Sequence, residues 1–358
     1  MKLNFPETTD EEFESGFMHM ISKGRKDNDY KFALARFLLE HSAKNDAKIH
    51  VEFKEIAEKF LEYFWPQVCQ TKLMHNAHGD SKKPEIIQII EEEFDTTVHY
   101  PKGYSWIKNR ERQKIKNCIE KIVESCFYDV IWRFQKINNE ETKLLFDYKV
   151  QDGWTNPNKK KTDLQYGINL NPEAMRFFRQ HNAPLKKSVT LEWTRFLEKW
   201  NIGMPKLVPK IEGSKIARNQ PYADKAKSEF RRVGIEKCFY CLNPLQPGRD
   251  TQLEHFIPFD YISEDNIWNF TLACKACNWK KLAALPEESL IDNLITQHMT
   301  CFYAKKEEEK IDMLNDSLTE LGLDNTKTLE ETREKLREII ETPWKNALKF
   351  GYLPIILP

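Results

Sequence analysis

Residues 238–281 read CFYCLNPLQPGRDTQLEHFIPFDYISEDNIWNFTLACKACNWKK. The segment LEHFIP is short, apolar and compatible with a β-strand, and Pro258 ends it. The turn-like residues SEDN follow at 263–266, and a second run of this kind, NIWNFTLAC, begins at the last of them. A helix is expected to follow from Lys275 or Ala276. The pattern therefore predicts the order strand, loop, strand, helix.

The eight cysteines fall into two groups. The scattered ones are interpreted as reduced core residues: Cys69, Cys118, Cys126 and Cys301. The others form two Cys-x-x-Cys pairs: Cys238, Cys241, Cys274 and Cys277. Paired units of this kind in a cytosolic chain indicate zinc rather than disulfides. One structural Zn²⁺ held by four thiolates would join the predicted hairpin to its helix.

Five further positions in this stretch have a recognisable order: Glu254, His255, Pro258, Asn269 and Asn278. Asn269 lies 14 residues and Asn278 lies 23 residues after the histidine. In this order and spacing the segment resembles the HNH (ββα-metal) endonuclease family, in the form that carries a four-cysteine zinc site. The resemblance covers residues 238–281 and is specific, because several independent positions agree.

The resemblance implies a role for each position. His255 would be the general base that deprotonates the attacking water, a task that suits imidazole. Asn269 would hydrogen-bond across the hairpin and orient the loop behind that histidine. Glu254 and Asn278 would hold one catalytic ion, and their oxygen atoms favour Mg²⁺ or Mn²⁺. Two basic side chains are expected to contact a neighbouring phosphate: Lys280 and Lys281.

Two positions depart from the commonest family pattern. Glu254 stands where aspartate is more frequent, and Asn278 replaces a histidine, a variant that the family also uses. The competing interpretation of the whole stretch is a structural zinc knuckle without catalysis. The combination of His255 with the two asparagines favours the nuclease.

The charge balance is neutral overall, with 55 basic and 55 acidic residues, but it is uneven along the chain. Ten basic and four acidic residues lie between Lys206 and Arg249. Four of the basic residues are predicted to contact nucleic acid: Lys225, Lys227, Arg231 and Arg232. A solvated helix face without a partner explains the same charges equally well.

The fold class is predicted to be mainly α, with a small zinc-stapled ββα module and C-terminal helices. The predicted segments are a helical recognition or partner domain (1–137), a connector with an aromatic helix (138–204), the nuclease module (205–285) and a C-terminal helical segment (286–358).

Three local patterns add detail. Apolar positions spaced by three or four residues predict one long helix from about Ile107 to Ile137. Trp193 belongs to an aromatic helix that is expected to pack against the nuclease module rather than to stack on bases. Thr328 and Glu331 are three residues apart, as in a capping box, at the start of a helix that Pro343 is expected to follow.

The resulting functional expectation is a metal-dependent DNA endonuclease that cuts double-stranded DNA. HNH proteins of this size commonly resemble restriction or antiphage-defence effectors, and a sensor or ATPase is a possible partner protein. The start, MKLNFPETTDEEFE, is acidic and no long apolar run is present, which predicts a cytoplasmic protein without membrane segments. An RNA-directed nuclease and a non-catalytic zinc-finger nucleic-acid-binding protein are the alternatives.

Overall fold

A computed structural model of the chain describes the following residues: 5–23, 28–75, 83–96, 103–138, 140–148, 167–213, 218–246, 250–307, 322 and 328–358. They are mainly helical with small sheets, as the sequence predicted. Two compact units are present, one of residues 1–202 with 207–214 and the other of residues 203–206 with 215–358. Within the described ranges, no helix is long and apolar enough to cross a membrane.

The first unit is largely helical. Its helices are α1 (Asp10–Ser22), α2 (Tyr30–Ser42), α3 (Phe53–Trp65), a π-helix (Pro66–Gln70), α4 (Glu85–Glu93), α5 (Tyr104–Arg110), α6 (Arg112–Ser125), α7 (Phe127–Phe134), α8 (Pro172–Gln180), α9 (Asn182–Glu198) and α10 (Leu207–Glu212). Its short strands are β1 (His50–Glu52), β2 (Lys136–Ile137), β3 (Glu140–Glu141), β4 (Phe146–Asp147) and β5 (Gly167–Leu170).

Helix α9 contains the predicted aromatic segment and is part of the core of the first unit. The ring of Trp193 lies 6.1 Å from that of Phe32 and 5.8 Å from that of Phe64. Its indole N–H donates a hydrogen bond to Asp29 Oδ2 at 3.0 Å. The aromatic surface that buries Trp193 is therefore that of α2 and α3 and not, as predicted, that of the nuclease module.

The single helix predicted from Ile107 to Ile137 is also wrong. The backbone leaves the helical region at Glu111 (φ −110°, ψ 47°), which separates α5 from α6, and a further break at Cys126 separates α6 from α7. Neither glycine nor proline marks these breaks, so the apolar periodicity continues across them without a local signal.

The predicted connector (138–204) contributes a strand to the first unit. Strand β5 is the middle of an antiparallel sheet in the order β1, β5, β4, with Phe146 opposite Leu170. The neighbouring backbone comes so close that a Cβ at Gly167 would lie 2.0 Å from Val51 O. Any larger residue at this position would force the strands apart.

The second unit contains the residues of the predicted strand, loop, strand and helix. Its elements are α11 (Gln220–Arg232), β6 (Thr251–His255), α12 (Phe259–Ile262), a 3₁₀-helix (Ile267–Asn269), β7 (Phe270–Cys274), α13 (Lys275–Lys281), β8 (Leu285–Pro286), a 3₁₀-helix (Glu288–Leu290), α14 (Ile291–Glu307), α15 (Leu329–Lys349) and β9 (Pro354–Ile355). Strands β6 and β7 pair antiparallel, and α13 follows β7 directly. The predicted order of strand, loop, strand and helix is present.

The C-terminal helices belong to this second unit. The capping box of Thr328 and Glu331 is confirmed at the start of α15. The helix does not end before Pro343, as predicted, but continues to Lys349. Trp344 is buried just after the proline, and its indole N–H donates to Pro286 O at 3.0 Å. This tertiary contact offsets the one backbone hydrogen bond that proline removes.

Candidate metal centre and active site

The four paired cysteines come together in the second unit. The Sγ atoms of Cys238, Cys241, Cys274 and Cys277 all lie within 4.8 Å of one another. The Sγ atoms of Cys241 and Cys274 are 3.9 Å apart, close to the edge of about 3.8 Å of a tetrahedron with Zn–S bonds of 2.3 Å. The predicted ligand set therefore has the size that a structural zinc ion requires.

A metal ion in this cluster would join three segments of the second unit. Cys238 and Cys241 lie in the turn before β6, Cys274 ends β7, and Cys277 lies in α13. Burial is the largest cause that raises the pKa of the Cys277 thiol, and the neighbouring thiols raise this pKa further. A divalent cation would offset this and hold the cluster as thiolates.

Asn269 makes the hydrogen bonds across the hairpin that were expected from the sequence. Its side chain is fully buried. Its Oδ1 accepts from the Ile257 N–H at 2.7 Å, and its Nδ2 donates to the Ile257 carbonyl at 2.9 Å. The amide of Asn269 thus satisfies both backbone polar groups of Ile257. These two hydrogen bonds fix the loop behind His255.

Replacing Asn269 with alanine is expected to destabilise the hairpin by about 2–6 kcal/mol, since each of the two buried groups left without a partner costs about 1–3 kcal/mol. Hydrogen exchange of the β6 and β7 amides measures this local loss. Asn266→Ala is the matched control, because its side chain makes a long contact of 3.5 Å with Glu264. Equal protection of β6 and β7 in the two variants would contradict the role of Asn269.

His255 ends β6 and is nearly buried. Its ring packs edge-on against Phe259 and Phe270, with centroids 5.1 and 4.7 Å away. Burial, together with the positive charge of Arg218, lowers the pKa of the imidazole, although Asp265 acts in the opposite direction. The neutral form, which a general base requires, is therefore favoured.

Asp265 is a site residue that the sequence analysis did not identify. Its Oδ1 lies 2.8 Å from His255 Nε2, and its Oδ2 accepts from the Asn219 N–H at 2.5 Å. Burial opposes ionisation of this carboxyl, but the hydrogen bonds from His255 and Asn219 outweigh it and lower the pKa. The only sequence signal was an acidic residue in the turn SEDN, a composition that is also typical of ordinary turns.

Glu254 is held by an ion pair. Lys281 Nζ donates to Glu254 Oε1 and to the His255 carbonyl, both at 2.8 Å. The side chain of Lys281 is 0% exposed. The predicted phosphate contact of Lys281 is therefore wrong, because its ammonium group is buried against the carboxylate. Among the described residues, the bonded oxygen of Glu254 is Oε1, which leaves Oε2 as the ligand atom available to an ion.

Asn278 and Lys280 lie on α13, which packs on both strands of the hairpin. Asn278 is half-buried and lies between Cys277 of the metal cluster and Lys281 of the ion pair. Its position is thus anchored from both directions. Lys280 is exposed, as a phosphate contact requires, and Trp279 beside it is 73% exposed.

The predicted basic residues of α11 divide into two kinds. Lys225 and Arg232 are exposed. Lys227 donates to the Thr251 carbonyl, and Arg231 donates to Thr251 Oγ1 at 2.8 Å. The latter two attach α11 to β6, so the exposed pair is better placed to meet a polyanion.

The second unit thus brings a four-cysteine centre next to a hairpin with a buried histidine, a carboxylate and two asparagines. No family model matches this chain, and no curated protein or solved structure matches it either.

Proposed function

We propose that this protein is an endonuclease of the HNH type that hydrolyses phosphodiester bonds in DNA. The observation that carries the proposal is the hairpin of β6 and β7. It places Glu254 and His255 consecutively at the end of β6, with Asn269 hydrogen-bonded to the loop that follows and α13 packed on both strands. A structural zinc knuckle does not require any of these side chains.

His255 is the proposed general base. Its Nε2 is engaged by Asp265, so Nδ1 is the atom left to accept a proton from water. The water oxygen would form a bond to phosphorus while the bond from phosphorus to the leaving sugar oxygen breaks. Burial between Phe259 and Phe270 keeps the imidazole ring from rotating during this transfer.

Glu254 and Asn278 are the proposed ligands of the catalytic ion. Both offer oxygen atoms, which suits hard cations such as Mg²⁺ and Mn²⁺ better than Zn²⁺. Such an ion would supply positive charge to the scissile phosphate and the leaving oxygen. Lys281 fixes the orientation of the Glu254 carboxylate through Oε1, so the remaining oxygen points in one direction.

DNA is the proposed substrate because cationic side chains lie around the hairpin. Lys280 on α13 and Lys225 and Arg232 on α11 are exposed. Together they would attract phosphates through counterion release, without reading the base sequence. Digestion of plasmid DNA compared with total RNA distinguishes this substrate from the RNA-directed alternative.

Cleavage is expected to be lost in EDTA and restored by Mg²⁺ or Mn²⁺ but not by Ca²⁺. Asn278→Ala should lower the affinity for the metal ion and the cleavage rate together, because the ion loses one of two protein ligands. The measurement is a metal titration of plasmid cleavage by full-length protein. Asn243→Ala is the control, because this exposed asparagine of the same unit bonds to Cys238 through its backbone carbonyl, which the substitution keeps. Full activity in EDTA would remove the catalytic ion from the proposal.

The same titration tests a second candidate, a zinc-containing nucleic-acid-binding protein without catalysis. One observation favours it: Lys281 already neutralises Glu254, which is the charge that a catalytic ion would otherwise balance. This candidate predicts DNA binding with no cleavage at any concentration of Mg²⁺ or Mn²⁺.

A further inference from the structure

We propose that Asp265 is a positioning residue for His255: its carboxylate holds the proton of the imidazole on Nε2 and thereby keeps Nδ1 unprotonated and aimed at the attacking water. The inference rests on the proposed nuclease function for its consequence on rate. The hydrogen bond itself is independent of that function.

The chemistry of the pair determines the tautomer. An ionised carboxylate only accepts hydrogen bonds. At 2.8 Å from Asp265 Oδ1, the ring nitrogen Nε2 of neutral His255 must therefore carry the proton. Nδ1 is then the nitrogen with the lone pair. A histidine without such a partner interconverts between two tautomers, of which one has no base at Nδ1.

Asp265 is itself anchored, which makes it suited to this task. Its second oxygen accepts from the backbone N–H of Asn219, and the side chain of Asn219 caps α11 by accepting from the Tyr222 N–H at 3.2 Å. The side chains of His255 and Asp265 are only 7% and 4% exposed. Water therefore competes little for either partner.

Stability alone explains the pair poorly. A buried carboxylate next to a neutral imidazole carries a desolvation cost that apolar residues of the same volume avoid. The other charges that act on the imidazole are Arg218 and Glu254, and Glu254 is bonded to Lys281. Asp265 is the acidic side chain that contacts the imidazole directly.

The anchoring by Asn219 gives a test that separates positioning from a structural role. In Asp265→Asn, the amide oxygen is expected to remain on the Asn219 N–H, so the amide NH₂ faces His255 Nε2. That group donates a hydrogen bond, which forces the imidazole proton onto Nδ1 and removes the base. Asp265→Ala removes the restraint but permits both tautomers.

The expected order of activity is therefore wild type, then alanine, then asparagine. We expect kcat to fall about 10- to 100-fold in Asp265→Ala and further in Asp265→Asn, with KM little changed. Glu264→Gln is the matched control, because it removes the neighbouring negative charge from a side chain that pairs with Lys206 instead. A purely structural role predicts the opposite order for the two variants, with asparagine more active than alanine, since asparagine is the closer replacement for aspartate.

The tautomer is read directly from ¹⁵N chemical shifts of the imidazole in histidine-labelled, zinc-containing protein. We expect Nε2–H in the wild type, Nδ1–H in Asp265→Asn, and a mixture in Asp265→Ala. Unchanged shifts in both variants, or milder loss of kcat in asparagine than in alanine, would overturn the inference. If the tautomers follow Asp265 but the wild type cuts no nucleic acid, the nuclease proposal fails and the positioning role stands.

Discussion

His255→Ala is expected to lower the rate of plasmid cleavage by about 10²–10⁴-fold, the usual contribution of a general base. The reason is that Nδ1 of this residue is the proposed proton acceptor at the end of β6. DNA affinity should change little, because the exposed cationic residues are elsewhere on α11 and α13. The measurement is a single-turnover cleavage assay together with a binding titration.

Two further variants separate chemistry from folding. His255→Gln retains an N–H that can reach Asp265, so the hairpin keeps its hydrogen bond but loses the base. His298→Gln changes the other histidine of the second unit, which is also buried, and controls for general destabilisation. If His255→Gln cuts at close to the wild-type rate, another residue is the base. Loss of cleavage in His298→Gln to the same extent would also reject the assignment.

Cys274→Ser or Cys241→Ser is expected to abolish bound zinc and unfold the region around residues 238–281. Zinc bound by four thiolates typically contributes about 10–16 kcal/mol in small domains, which exceeds the stability of the hairpin alone. The measurement is metal analysis of purified protein combined with limited proteolysis. Cys301→Ser is the control, since this buried cysteine on α14 lies outside the cluster.

Loss of the zinc ion and loss of the hairpin structure are expected to occur together. Cys274 ends β7, and Cys277 lies one residue before Asn278, so loss of the ion would release both the strand and the proposed metal ligand. Cleavage should therefore disappear in the cysteine variants even when Mg²⁺ is abundant. Clearly substoichiometric zinc in a wild-type protein with an intact hairpin would contradict the structural role.

The amino-acid sequence by itself determined the local features of the second unit. Two β-compatible runs separated by a turn predicted β6 and β7, and the spacing of the paired cysteines predicted the cluster. The capping box of Thr328 and Glu331 was equally visible. These features depend on residues that are close along the chain or on side chains whose chemistry leaves few alternatives.

Only the tertiary structure decided which side chains meet. Asp265 contacts His255 across a loop, and Lys281 reaches back from α13 to Glu254. Likewise, Trp193 is buried by helices more than a hundred residues earlier in the chain. Periodicity and motif spacing do not identify these partners. An acidic residue in a turn, a lysine at the end of a helix or an aromatic stripe is compatible with many neighbours. The folded structure favours the arrangement in which each buried charge or polar group has a partner, because leaving one unpaired costs free energy.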